Sequence, residues 1–378
     1  MAYYFDYMAS TPICGVALEA YQYAATTCTG NSSGIHAEAR KAGELIGQAE
    51  DLIFEGLHIV PEDRRTIYDI AWRGSASAAT RDVLSENYMH LSACLCSAAE
   101  HKSVLTSLPI DLPHIRLPID EHGQVQADKV EALLREHALS NSNILLSVMH
   151  VNNELGTINM IQSIGHIVSK FPRVIYHVDS CQSFGKLYID MPRFNIDLLT
   201  ISGHKVHGPK GIGAIVFRKR SSIELNQLPK FVGTANTAAI YSMGKAFVWT
   251  EEKYGELFDQ YTDLYQRREL FSEILATQTK RTIYRNYARG NSVPWCINVH
   301  IPGINGTDLV LACEDVCFST GSSCNSTAEK PSHVLMACGY DVLYARNSIR
   351  FSFDPITTTD KDIEEAATYI ASRIKELG

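Results

Sequence analysis

Apolar and polar positions along the chain fall into two alternating kinds of segment. Short apolar runs occupy Thr66–Trp72, Leu91–Ser97, Asn143–Val151, Val174–Asp179, Ile196–Ile201 and Gly213–Arg218. Their length and their Val, Ile and Leu content suit buried strands. Between them, Ala37–Phe54, Ala76–His90, Gln126–Leu139 and Ile161–Phe171 carry apolar residues at the spacing of a helix with one buried face. Strands alternating with helices predict an α/β fold with a mostly parallel central sheet covered on both faces. Beyond Ala235 the pattern changes to a long helical stretch reaching about Thr277. Short strands at Cys296–His300 and Ser348–Phe353 follow, with helices at Thr307–Cys317 and Thr359–Leu377. This predicts a smaller α+β C-terminal domain. The expected division is a large domain over 13–252 and a small one over 253–378, joined by the N-terminal segment 1–12.

In an open parallel sheet, ligands collect beyond the carboxyl ends of the strands. Five polar segments fall there: Arg73-Gly74-Ser75, Glu100-His101-Lys102, Asn152-Asn153-Glu154, Asp179-Ser180-Cys181-Gln182 and Ser202-Gly203-His204-Lys205. Convergence of several such loops is what a cofactor site requires. Lys205, delivered by a strand end, supplies an amine able to form a Schiff base. Asp179 supplies an anion for a protonated ring nitrogen, and its alternative reading is a helix cap after a strand. His101 can stack on a ring, although a lone histidine is more often a satisfied surface or core group. Gly74-Ser75 opens a helix, whose N-terminus favours a phosphate. Ser202 and His204 add hydrogen-bonding groups. The Gly208–Gly213 segment precedes a strand, whereas a dinucleotide loop joins a strand to a helix, so it is read as a turn. Together these elements point to pyridoxal-phosphate (PLP) chemistry.

Composition narrows the picture. The 378 residues carry a net charge of -8 with no lysine/arginine-rich run, which argues against a nucleic-acid-coating surface. No apolar run is long enough to span a bilayer, and the start of the chain lacks the regions of a signal peptide, so no membrane contact and a cytoplasmic address are expected. Ten cysteines are present. Without export, disulfides are not expected, and the histidines and cysteines lack the tight ligand spacing of a metal site. Cys313 and Cys317 lie one helical turn apart in the expected helix. Cys324 stands out, because its neighbours Gly321, Ser322, Ser323, Asn325 and Ser326 form a small, polar segment suited to a nucleophile.

The chain resembles the cysteine desulfurases of PLP fold type I over nearly its whole length. The likeness runs through Asp6–Pro12, Asn31–His36, Glu100-His101-Lys102, His150–Gly156, His177–Gln182, Ser202–Gly211, Ser319–Ser326 and Ser348–Ser352. The resemblance implies that Lys205 holds PLP, that Asp179 pairs with the ring nitrogen and that His101 stacks on the ring and exchanges protons. Gln182 would bond the ring oxygen, with Asn153 near that oxygen and the substrate carboxylate. Gly74, Ser75, Ser202 and His204 would hold the phosphate, and Thr234 would reach the phosphate of a neighbouring subunit in a homodimer. Arg350 would take the substrate carboxylate as a bidentate pair. Cys324 would accept the sulfur of L-cysteine as a persulfide, release L-alanine, and pass the sulfur to an acceptor protein.

Two departures stand out. The family usually has threonine and glutamate where Ala76 and Ser77 stand, so one phosphate hydroxyl is missing and Ser75 is expected to compensate. The segment Leu228–Val232 is shorter than usual and lacks an arginine. Two other enzymes on the same scaffold, a selenocysteine lyase or a cysteine/cystine β-lyase, would not depend on Cys324. A catalytically impaired scaffold for sulfur-relay partners is a third alternative, resting on the altered phosphate loop. The sulfur acceptor is not named by the sequence.

Overall fold

The computed structural model describes residues 3–85, 90–138, 142–220, 227–320 and 331–378. Its largest feature is a seven-stranded sheet in the order β2-β8-β7-β6-β5-β3-β4. These strands are β2 (Tyr68–Arg73), β3 (Leu91–Ser97), β4 (His114–Leu117), β5 (Asn143–Ser147), β6 (Val174–Asp179), β7 (Leu198–Ser202) and β8 (Gly213–Arg218). Pairing is parallel from β7 to β4, and β8 runs antiparallel to both of its neighbours. The sheet is therefore mostly parallel, as the alternating pattern predicts.

Helices cover both faces. On one side, α2 (Ala37–Gly56), α5 (Ala127–His137), α6 (Ile161–Val168) and α7 (Thr237–Glu256) close a core holding Ile53, Phe54, Leu146, Tyr176, Ile201 and Phe247. On the other, α3 (Ala76–Ser85) and the short α4 (Lys102–Leu105) cover Cys94, Cys96, Leu145, Ile175 and Ile215. Helix α1 (Gly15–Thr27) packs along α7 through the small residues Ala17, Ala20 and Ala24. Such close approach needs alanine rather than a large apolar stripe.

A second core surrounds a three-stranded antiparallel sheet, β12-β10-β9, made of β9 (Tyr284–Arg285), β10 (Cys296–His300) and β12 (Ser348–Ser352). It holds Phe271, Trp295, Ile297, Phe351 and Ile370, together with Phe5 and Met8 from the start of the chain. Its helices are α8 (Tyr261–Thr279), α9 (Gly306–Ala312) and α12 (Asp360–Leu377), while α10 (His333–Ala337) and α11 (Val342–Arg346) pack with Ala99 and Leu155 in a small separate cluster. The α12 start is fixed by a capping box between Thr359 and Asp362. Strand β1 (Tyr3–Tyr4) pairs in parallel with β11 (Val316–Cys317).

Two expectations need correction. The single long helix over Ala235–Thr277 is two helices, α7 and α8, separated near Leu257. The helix expected through Cys317 ends at Ala312, and Cys317 lies in β11. Cys313 and Cys317 are thus not on one helical face.

Candidate active site

Lys205 follows the end of β7 in a short 3-10 turn, Gly203–Lys205. Asp179 ends β6, and its register partner is Thr200 on β7. His101 is the N-cap of α4, where its Nδ1 receives the backbone N–H of Ser103 at 3.1 Å. That contact makes Nδ1 the acceptor and leaves the proton of the neutral ring on Nε2. Burial lowers the His101 pKa, which favours this neutral form.

These groups border one cavity of about 320 Å³ at the carboxyl ends of the parallel strands. His101, Asp179, Gln182 and Lys205 line it, as do Asn153 and Arg350. Ser75, Ser202 and His204 line its other end. The structure therefore brings most of the expected site residues into one place. Gly74 and Thr234 instead border a separate cleft of about 190 Å³. Thr234 is exposed there and does not line the Lys205 cavity within its own chain. Cys324 lies outside the described residues.

The cavity has an anion-binding end. Ser75 Oγ receives the N–H of Ala78 at 3.1 Å and so caps α3. The first turn of α3 then faces the cavity with Ala76 and the Ser77 hydroxyl. The sequence comparison looked to Ser75 to replace the hydroxyl missing at Ala76, and Ser77 offers a second one. Gly213 makes this approach possible, because a Cβ there would lie 2.2 Å from the Ala76 nitrogen. Burial, with help from the Lys205 charge, pushes His204 down to about 4, so it meets the cavity as a neutral ring. Lys230, in the shortened segment before Thr234, is committed elsewhere and bonds the buried Glu50 at 2.7 Å.

Another part of the lining suits a carboxylate. Arg350 is 3% exposed. Its Nη1 donates to the Asn153 carbonyl at 2.7 Å, and its Nη2 donates to Asp6 at 2.6 Å and to Ser319 Oγ at 2.7 Å. Its buried Nε has no partner among the described residues. The fork is thus partly filled: among the described residues, Nε–H and the second Nη1 hydrogen have no acceptor.

The N-terminal segment was missed as part of the site. Met8 and Ala9 line the cavity. The Met8 carbonyl receives both Lys205 Nζ, at 3.0 Å, and Gln182 Nε2, at 2.8 Å. The matched Asp6–Pro12 motif carried the signal, but sequence gives no hint that a backbone carbonyl does the work. Glu100 was also quoted without a role. It is fully buried and receives the Met149 N–H at 2.6 Å. Burial pushes its carboxyl up to about 8.

The cavity fits PLP on features of its own. The buried Gln182 Oε1 has no partner among the described residues, Asp179 lines the cavity, and the α3 N-terminus at its wall suits a phosphate. Cys181 also lines the cavity, yet burial and then Asp179 raise its thiol far above the ordinary range. It is a neutral thiol and a poor nucleophile.

The aminotransferase class-V family model matches residues 3–365. A cysteine desulfurase IscS of Azotobacter vinelandii is 32% identical over 99% of this chain and 93% of its own. The chain belongs to the cysteine desulfurases. A NifS-like protein from Rickettsia africae superposes with a TM-score of 0.81 at 25% identity, covering 100% of this chain and 99% of that one. SspA, solved in complex with cysteine, gives a TM-score of 0.71 at 28% identity over 95% of this chain and 100% of its own. The fold is therefore the type I PLP fold expected from sequence. Among the described residues no helix is long and apolar enough to cross a membrane.

Proposed function

We propose that this desulfurase converts L-cysteine to L-alanine in the Lys205 cavity and leaves the sulfur as a persulfide on Cys324. The observation that carries this is the single cavity that brings an amine, an anion and a helix N-terminus together with a buried arginine. PLP, attached through Lys205, supplies the electron sink that makes the substrate α-proton removable. Asp179 would pair with the ring nitrogen, Gln182 would lie beside the ring oxygen, and neutral His101 would cover the ring. The α3 N-terminus, Ser75, Ser77, Ser202 and His204 hold the phosphate. Arg350 and Asn153 orient the substrate carboxylate. Lys205, docked on the Met8 carbonyl when free, takes the α-proton.

The Cys324 thiolate attacks the substrate sulfur. The new S–S bond replaces the C–S bond, the carbon regains a proton, and L-alanine leaves. Cysteine plus protein thiol thus balances alanine plus protein persulfide. Two features support Cys324 in this role. Cys181 in the cavity is held neutral. Cys324 follows Ser319 by five residues, and Ser319 is bonded to Arg350. Five residues reach up to about 17 Å when extended, enough to bring the thiol to the cavity.

A homodimer with Thr234 completing a neighbour's phosphate site, a large unit over 13–252 beside a small one over 253–378 with 1–12, and a sulfur-acceptor protein belong to the same proposal. Two separate hydrophobic cores support the division. The nine described cysteines are all free, which suits a reducing compartment such as the cytoplasm. The deciding experiment incubates the PLP-loaded protein with L-cysteine and analyses the products. L-alanine and protein-bound sulfur in equal amounts support the proposal. Pyruvate, ammonia and sulfide would instead show a β-lyase.

A further inference from the structure

A guanidinium buried as deeply as that of Arg350 needs a counter-charge, because an uncompensated charge away from water is costly. Among the described residues Asp6 is the carboxylate that pairs with it, at 2.6 Å. Arg350 lines the cavity and Asp6 does not. The Asp6 carboxylate therefore meets the guanidinium without itself lining the cavity. Its place is fixed by backbone: the Ser352 N–H donates to the Phe5 carbonyl at 2.7 Å, and Asp6 bridges to Ser352, two residues beyond Arg350. Asp6 is thus held in register with the strand that carries the arginine.

The same segment reaches the amine end of the cavity. The Met8 N–H donates to Ser352 Oγ at 2.9 Å, while the Met8 carbonyl holds Lys205 Nζ at 3.0 Å. Ser10 Oγ lies 3.2 Å from His204 Nδ1. Residues 6 to 10 therefore touch the carboxylate end, the amine and the phosphate end in turn.

We propose that Asp6 is a positioning residue for Arg350: it fixes the guanidinium in the cavity wall, and so sets the affinity for the substrate carboxylate. This rests on the proposal that Arg350 binds that carboxylate. Asp6 itself does not touch substrate. Charge-assisted pairs of this kind carry geometric specificity beyond their energy. A side chain that loses its rear contact regains rotamers, and the penalty appears when substrate must order it again.

The experiment compares Asp6→Asn, Asp6→Glu and Arg350→Ala in the PLP-loaded protein. Asp6→Asn should raise KM for L-cysteine about tenfold and leave kcat within about twofold, with cofactor content near wild type and a lowered melting temperature from the unpaired buried charge. Asp6→Glu should recover part of the KM. In the cofactor-free protein, the Arg350 Nε–H resonance should exchange with water faster in Asp6→Asn than in wild type, a readout independent of turnover. An unchanged KM in Asp6→Asn overturns the inference, provided Arg350→Ala raises KM. A lowered KM also overturns it, because Asp6 would then be a competitor for Arg350. An unchanged KM in Arg350→Ala removes the carboxylate role itself, which is a separate failure. If Asp6→Asn does not fold, Asp6→Glu with unaltered KM and unaltered Nε–H exchange is the contradicting result.

Discussion

Lys205 Nζ donates to the carbonyl oxygen of Met8 at 3.0 Å, across a sequence separation of 197 residues. Gln182 Nε2 donates to the same oxygen at 2.8 Å. The amine that must alternate between cofactor and substrate proton thus has a fixed docking point beside the ring. Holding a base at a defined place is what makes proton transfer efficient. Lys205→Ala should fold, bind PLP without covalent fixation, and lose alanine formation by about a hundred- to ten-thousand-fold. Borohydride followed by peptide mapping checks this: label on Lys205 in wild type and none in the variant is the expected outcome. Label on another lysine sinks the assignment.

Arg350 is the second testable point. Its truncation leaves Asp6 without its charge partner and removes the guanidinium from the cavity wall. The cost to cysteine binding should be about 2–5 kcal/mol, the range for truncating one member of a buried charge pair. Steady-state kinetics of Arg350→Ala should show a raised KM. An unaltered KM would place the carboxylate elsewhere.

Glu100 gives a pH prediction. Its buried carboxyl titrates near 8 in the fold, against an ordinary value of 4.5, because burial disfavours the charged form. Between those values the folded protein holds a proton that the unfolded chain releases. Stability therefore falls as pH rises from about 4.5 to about 8, the reverse of a carboxylate stabilised by a cation. Glu100→Gln keeps an acceptor for the Met149 N–H and removes the titration. Thermal melts from pH 5.5 to 8.5 should show a smaller loss of melting temperature in the variant. Parallel curves for the two proteins would contradict the buried neutral carboxyl.

The elements most visible in sequence are those with continuous apolar runs. Strands Leu91–Ser97, Val174–Asp179 and Gly213–Arg218 have the bounds that their runs predict. Strand β4 escaped because it lies at the sheet edge and only Leu117 of its four residues is buried. Helix α1 escaped for a related reason: its buried positions are alanines, while Val16, Leu18 and Tyr23 are exposed, so no apolar stripe marks it. In the site, Lys205, Asp179 and His101 were legible because side-chain chemistry announces them. Met8 was not, because its contribution is a backbone carbonyl that any residue possesses. Asp6 is a charged residue in a matched motif, yet its pairing with Arg350 depends on a contact 344 residues away in sequence.

Thr234 tests the dimer. It is exposed and borders a cleft apart from the Lys205 cavity. If it serves a neighbour's phosphate, sedimentation at micromolar concentration should show a dimer, and Thr234→Val should lose PLP faster on dialysis while keeping its fold. A monomer that retains PLP refutes the shared site. Equal retention in variant and wild type would mean that Ser75, Ser77, Ser202 and His204 suffice.

The central claim is sulfur transfer to Cys324, and mass spectrometry of the protein after brief exposure to L-cysteine tests it most directly. The wild-type peptide containing Cys324 should gain the mass of one sulfur atom, removable by a thiol reductant. Cys324→Ser should keep its PLP, still change its cofactor absorbance on adding cysteine, and form neither persulfide nor alanine. Undiminished alanine formation in that variant, or the added sulfur on Cys181 in wild type, would contradict the account.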